Sequence, residues 1–114
     1  MPRNALQLLK EANEVLASEA NWTKRAFAKD KDGHTCSTYD NGAVQFCLIG
    51  AVTRRFMKDG PHRNYDAYHE AEDAIRKFTN KGVTSWNDAP ERTFAEVKQV
   101  LADAISLVES KTNA

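Results

Sequence analysis

The sequence predicts a mainly α-helical single domain: four helices, with one short β-hairpin between the first two (α+β in class where the hairpin forms). Three observations carry this. Apolar residues recur at helical spacing in four separate stretches. An Asn, Asp or Thr stands at the head of each, where helix N-caps are preferred. Between the first and second stretches, Asp30-Lys31-Asp32-Gly33 is a turn signal followed by the Thr-rich His34-Thr35-Cys36-Ser37-Thr38. At 114 residues the chain fits one domain, a size that buries roughly 65% of the unfolded surface without staples.

The elements follow in order. Asn4 caps the first helix, with Gln7 as capping-box partner, and Ala5, Leu8, Leu9, Ala12, Val15 and Leu16 form its apolar face. Trp22 to Ala28 alternates loosely and pairs across the Asp30–Gly33 turn, as a hairpin or as an irregular loop, since an isolated hairpin is marginal. Asp40-Asn41-Gly42 opens the second helix, whose buried stripe is Val44, Cys47, Leu48, Ala51, Val52 and Phe56. Asp59-Gly60-Pro61 ends it. Asn64 caps the third helix, which buries Tyr68, Ala71, Ile75 and Phe78 and closes at Asn80-Lys81-Gly82. Thr93 and Glu96 form a capping box for the fourth, with Phe94, Val97, Leu101, Ala104, Ile105 and Val108 facing inward. Residues 110–114 read as a frayed polar tail.

Composition excludes several classes. Lys and Arg total 16 and Asp and Glu total 16, so no global field favours nucleic acid or anionic membrane. The basic residues Arg54, Arg55, Lys58, His62 and Arg63 read as a solvated helix end. Trp22-Thr23-Lys24-Arg25-Ala26-Phe27 mixes rings and charges, as single-strand binders do, but at zero net charge it reads as a strand with Trp22 buried. The first four residues lack a signal-peptide layout and the longest apolar run, Phe46 to Val52, is too short to span a bilayer. Two cysteines, Cys36 and Cys47, make no disulfide framework. The expectation is a cytoplasmic protein with free thiols, although one Cys36–Cys47 bridge is compatible with the sequence.

The richest stretch is Ser85-Trp86-Asn87-Asp88-Ala89-Pro90-Glu91-Arg92-Thr93, read as a loop. Its structural reading folds Trp86 onto the core, makes a turn from Asn87 or Asp88 and pairs Arg92 with Asp88 or another carboxylate. Its functional reading sets Asp88 and Arg92 over a pocket floored by Trp86. Cys47 is the candidate catalytic nucleophile, but its place in an apolar stripe favours a buried thiol. Gly50, read as mid-helix, costs about 1 kcal/mol relative to Ala. It implies close approach of another helix or of the Trp86 ring, or else room for a ligand beside Cys47. His34-Thr35-Cys36 offers one short ligand pair without a second, and His69 reads as a surface partner of Asp66 and Asp73, so no metal is expected. No glycine-rich phosphate loop is present and no cofactor is expected.

With these motifs in place, the chain resembles a family of small bacterial and phage proteins known only as a domain of unknown function. The likeness runs from about Leu9 to Val108 and rests on three pieces: Trp22 with Ala26-Phe27-Ala28 and Gly33; Ala43-Val44-Gln45-Phe46-Cys47-Leu48-Ile49-Gly50-Ala51; and Trp86-Asn87-Asp88-Ala89-Pro90 with Arg92-Thr93 and Glu96-Val97. The resemblance implies that Cys47, Trp86, Asn87, Asp88 and Arg92 belong to the family's motif, and that the hairpin and the Trp loop are built around the second helix. It implies no activity, and it gives Cys36 and the histidines no counterpart.

Three functional expectations follow. The first is a non-enzymatic binding module that engages a protein or small ligand through Trp22 and the hairpin together with Trp86, Asn87, Asp88 and Arg92. The second is a hydrolase or transferase dependent on Cys47, with Asn87 or Asp88 as orienter and Arg92 as anion clamp. The third, carried by the resemblance alone, is a phage inhibitor of a host defence system.

Overall fold

Asn4 starts the first helix, α1 (Ala5–Val15), through the expected capping box. Its side chain accepts the Gln7 N–H at 2.9 Å, and the Gln7 side chain accepts the Asn4 N–H at 2.9 Å. A computed structural model describes residues 3–80 and 82–112. The architecture is mainly helical with one small two-stranded antiparallel sheet, as the sequence predicts. After α1 come a 3-10 turn (Glu19–Asn21), β1 (Ala28–Asp30), β2 (Ala43–Phe46), α2 (Leu48–Met57), a second 3-10 turn (Gly60–His62), α3 (Tyr65–Arg76), α4 (Val83–Asp88) and α5 (Phe94–Thr112).

The strands lie elsewhere than expected. β1 pairs with β2, setting Ala28 opposite Phe46, Lys29 opposite Gln45 and Asp30 opposite Ala43, with a bulge between Lys29 and Asp30. Across the Asp30–Gly33 turn the expected hairpin survives only as a single bridge between Lys29 and Thr35, plus backbone bonds from Asp30 to His34 and from Cys36 to Ala28. Trp22 forms one parallel bridge to Phe46, so both edges of the small sheet are partly covered.

The second helix therefore starts later than its apolar stripe suggests. The Asp40 carboxylate accepts the Gly42 N–H at 2.7 Å and the Asp40 carbonyl accepts the Ala43 N–H at 3.1 Å. That closes a turn instead of capping a helix. The chain then extends: Ala43 and Phe46 face inward and Val44 is exposed, against the expectation that it is buried. Cys47 is the N-cap of α2, its sulfur accepting the Gly50 N–H at 3.3 Å.

The remaining helices start where the caps place them. The Asn64 side chain accepts the Ala67 N–H at the head of α3. Thr93 and Glu96 exchange bonds at the head of α5. α3 ends at Arg76, so Phe78 falls beyond it and is exposed, not buried as the helical stripe implies. The expected Trp loop is itself a short helix, α4, which raises the count among the described residues to five. Lys81 of the closing signal lies outside the described residues. α5 runs to Thr112, through the start of the expected polar tail, and residues 113–114 lie outside the described residues.

α1 packs against α2, α3 and α5, and α4 sits on α2 and α3. Leu8, Leu9, Leu16, Leu48, Val52, Ile75, Val97 and Leu101 are fully buried at this centre. Each contributes about 1.5–3 kcal/mol through area removed from water. Lys98 crosses from α5 to donate to the carbonyls of Asn13 and Leu16, both at 2.9 Å, satisfying the C-terminal end of α1. Arg3 pairs with Glu11 and with Asp59, tying the start of the chain to the end of α2. No helix among the described residues is long and apolar enough to cross a membrane.

Candidate binding site

The geometry is organised by Asn87, near the end of α4 and fully buried. Its carbonyl oxygen accepts the Trp22 indole N–H at 2.8 Å and the Leu48 backbone N–H at 3.0 Å. Its amide donates to the Thr23 carbonyl at 3.1 Å and to Asp88 Oδ1 at 3.0 Å. All four hydrogen-bonding positions of the side chain are filled, so a buried primary amide here carries no desolvation deficit. One residue thus joins the Trp22-Thr23 segment, the head of α2 and α4.

Asp88 continues the network outward. Its Oδ1 also accepts the Arg25 N–H at 2.9 Å. Arg25 sits at φ +67°, in the left-handed region that costs a non-glycine residue about 1 kcal/mol or more. The bond from Asp88 helps to hold the backbone there. Of the two partners expected for Arg92, Asp88 or another carboxylate, the structure shows the second, Glu96. Arg92 lies over the Trp86 ring, 3.9 Å from its centroid, donates to the Trp86 carbonyl at 2.9 Å and bridges to Glu96 at 3.2 Å. Trp86 is buried beneath it. Asp88 and Arg92 therefore border different hollows: Trp86 and Arg92 line one of about 330 Å³ that Asp88 does not reach, and Asp88 lines another.

Cys47 lines neither. It is 1% exposed, and burial pushes its thiol up to about 11, against the weaker opposing effect of the Gly50 N–H. Its place at the helix N-cap, which sequence periodicity had put mid-helix, does not offset that burial. Gly50 beside it is close-packed, but against backbone and not against a helix or Trp86: a Cβ there would lie 2.0 Å from the Phe27 carbonyl oxygen. That same carbonyl accepts the Cys47 N–H at 3.3 Å.

Both thiols are free. Cys36 is half-buried, and its pKa is raised by burial first and then by Asp40 and Asp30. His69 lies 4.0 Å from Glu72, and among the described residues it forms no ion pair with Asp66 or Asp73. Asp30, Asp32 and His34 bring one ligand atom each within 4.8 Å of one another. The Asp30 carboxylate there already accepts the N–H groups of Asp32 and His34, which accounts for the cluster as turn chemistry.

The residue that sequence reading passed over is Phe27, a large apolar ring left 54% exposed beside a strand. A hollow of about 290 Å³ on one side is lined by Arg25, Ala26, Phe27, Thr35, Thr84 and Asp88. On the other, a hollow of about 350 Å³ is lined by Phe27, Cys36, Ser37, Thr38, Tyr39, Thr53 and Tyr68. Tyr39 is exposed, and the Tyr68 hydroxyl lies 3.0 Å from that of Thr53, with burial raising the phenol's pKa. Arg54 holds the far wall by donating to the carbonyls of Thr38 and Asp40. The Ala26-Phe27-Ala28 piece was the available signal, since an aromatic between two small residues has few neighbours of its own to bury it.

The profile of a family of unknown function, DUF6197, matches residues 1–107. The chain belongs to this family. Neither the curated proteins nor the solved structures contain a match. Within DUF6197, this chain's Trp22, Asn87 and Leu48 form one hydrogen-bonded hub, and Trp86, Arg92 and Glu96 form a second cluster on the other side of α4.

Proposed function

We propose that this member of DUF6197 is a cytoplasmic binding module of bacterial or phage origin that recognises a protein or small ligand beside its β-strands. One observation carries the reading: the exposed Phe27 ring lines two hollows whose walls are tied by hydrogen bonds. Apolar surfaces with a few convergent polar groups are the usual form of a recognition site. In this reading Asn87 and Trp22 brace the surface, Asp88 borders it, and Trp86 with Arg92 stabilises α4 from behind.

The hydrolase or transferase reading has less support. It requires an ionisable, accessible Cys47, whereas this thiol is buried and pushed up to about 11. Among the described residues no histidine is hydrogen-bonded to it. Inhibition of a host defence system by a phage protein is one way in which a binding module acts, and it shares the first reading's test.

The test is capture from a bacterial lysate on immobilised protein, run beside Phe27→Ser and Tyr39→Ser variants whose folding is checked by circular dichroism. The expected result is a specific protein or metabolite retained by the wild type and lost from both variants. Equal retention by all three would overturn this surface as the recognition site.

A further inference from the structure

We propose that the hollow bordered by Arg25 and Asp88 binds a small zwitterion of the α-amino-acid type, with its ammonium on Asp88 and its carboxylate on Arg25. The proposal rests on the binding-module reading and names the ligand class of one of its two hollows. The first argument is size. About 290 Å³ is at the lower limit of small-molecule sites, which run from roughly 300 to 1,000 Å³, so the hollow suits a small guest.

The second argument is unmet charge. Oδ1 of Asp88 is occupied by the Arg25 N–H and the Asn87 amide, whereas Oδ2 takes no hydrogen bond among the described residues. Arg25 offers its backbone N–H to Asp88, yet its guanidinium forms no salt bridge among the described residues, with Asp88 or any other carboxylate. Arg25 and Asp88 thus line one hollow without a salt bridge between them. A guest with a single positive charge would meet Arg25, and one with a single negative charge would meet Asp88. A guest with both charges satisfies both residues, because each pairing is a charge-assisted hydrogen bond. Phe27 and Ala26 supply an apolar wall for the guest's side chain, and the Thr35 and Thr84 hydroxyls are the remaining polar groups.

The third argument is preorganisation. Asp88 is held by the fully buried Asn87, and Arg25 is held in the left-handed region by Asp88 itself. A carboxylate and a backbone held in this way lose little freedom when a guest arrives.

The test is nuclear magnetic resonance titration of the labelled protein with the standard L-amino acids, each alone. It continues with phenethylamine and phenylpropanoate, which are phenylalanine without its carboxylate and without its ammonium. At least one apolar amino acid should shift the amides of Arg25, Phe27, Thr84 and Asp88 saturably. Either truncated analogue should bind at least about tenfold more weakly, the loss of one charge-assisted bond. Asp88→Asn, which retains an acceptor for the Arg25 N–H, and Arg25→Asn, which tolerates the left-handed backbone, should each weaken the zwitterion by a similar factor. No saturable amino acid, or an analogue that binds as tightly as the zwitterion, overturns the proposal. If it fails while Phe27→Ser still abolishes capture from lysate, the ligand class is wrong and the recognition surface stands; if capture is unchanged as well, both fall.

Discussion

Gly50→Ala sets two physical effects against each other, and the structure decides the sign. Gly50 is the third residue of α2, where replacement by Ala is worth up to about 1 kcal/mol in helix propensity. A Cβ at this position would lie 2.0 Å from the Phe27 carbonyl oxygen, 2.9 Å from its carbon and 3.3 Å from the Cys47 sulfur. Ordinary carbon–oxygen contacts begin near ~3.3 Å, so the neighbour must retreat by about 1 Å. The neighbour is backbone, and it adjoins β1, so no rotamer change relieves the clash. Retreat also lengthens the Cys47 N–H bond to Phe27, worth about 1 kcal/mol. Overpacking adds about 1–3 kcal/mol. After the propensity gain is subtracted, the variant should be destabilised by about 1–3 kcal/mol. Thermal unfolding followed by far-ultraviolet circular dichroism should show Tm falling by about 4–12 °C for a chain of this size. A Gly50→Ala protein as stable as the wild type, or more so, would refute the close approach of Phe27 and with it the placement of the Phe27 ring.

The other predictions concern the hub, the Trp86 cluster and the thiols. Asn87→Ala strands the Trp22 indole N–H, the Leu48 N–H and the Thr23 carbonyl, and should cost about 3 kcal/mol or more in urea denaturation, with the Trp22 environment changed in fluorescence; a cost under about 1 kcal/mol would sink the hub. Arg92→Ala should lose about 1–2 kcal/mol with its ring contact and its bond to the Trp86 carbonyl, and Arg92→Lys should recover less than half, because a lysine lacks the planar fork; full rescue by Lys would argue for charge alone. Native-state alkylation at neutral pH should label Cys36 first and Cys47 only at the rate of unfolding, since a thiol at about 11 carries about 100-fold less thiolate than one at 9.0; rapid labelling of Cys47 in the native state would reopen the nucleophile reading. The Glu96 carboxyl is held below its ordinary value by the Thr93 N–H first, then by the Thr93 hydroxyl and Arg92. Its contribution is thus present above the unfolded pKa of about 4.3 and lost as pH falls through the folded value. Glu96→Gln should therefore flatten the acid limb of the stability profile, and an unchanged limb would show the capping box to be idle.

What the sequence made legible was local. The caps at Asn4, Asn64 and Thr93 are read correctly because each is a side chain bonded to backbone three residues away. The start of α2 was hidden by a coincidence of periods. Val44, Cys47, Leu48 and Ala51 fall on a helical stripe, so the extended segment Ala43–Phe46 passes for a helix turn. Asp40-Asn41-Gly42 serves equally as cap or turn, and only the bonds Asp40 makes distinguish them. α4 has six residues, fewer than two turns, and no apolar period to show. The hub was illegible for a different reason: Asn87 meets Trp22, Leu48 and Thr23 across 65, 39 and 64 residues of chain.

That distance explains why the motif residues and the recognition surface separate. Trp22, Asn87, Trp86 and Arg92 are unusual in composition, yet the indole N–H of Trp22, the amide of Asn87 and the guanidinium of Arg92 are each committed to bonds inside the frame, and the Trp86 ring lies buried under Arg92. A side chain whose bonds are all internal has little with which to hold a ligand. Asp88 differs, because one carboxylate oxygen serves the frame while the residue also lines a hollow. Substitutions at the first four residues therefore read out stability, and loss of binding in them follows from loss of the frame. Recognition is read instead at Phe27, Tyr39 and Arg25, which are exposed and whose removal leaves the hub intact. A residue can be prominent in a motif because the fold needs it, while an ordinary phenylalanine, held out of the core by the backbone that seats Gly50, faces the solvent where a partner would meet it.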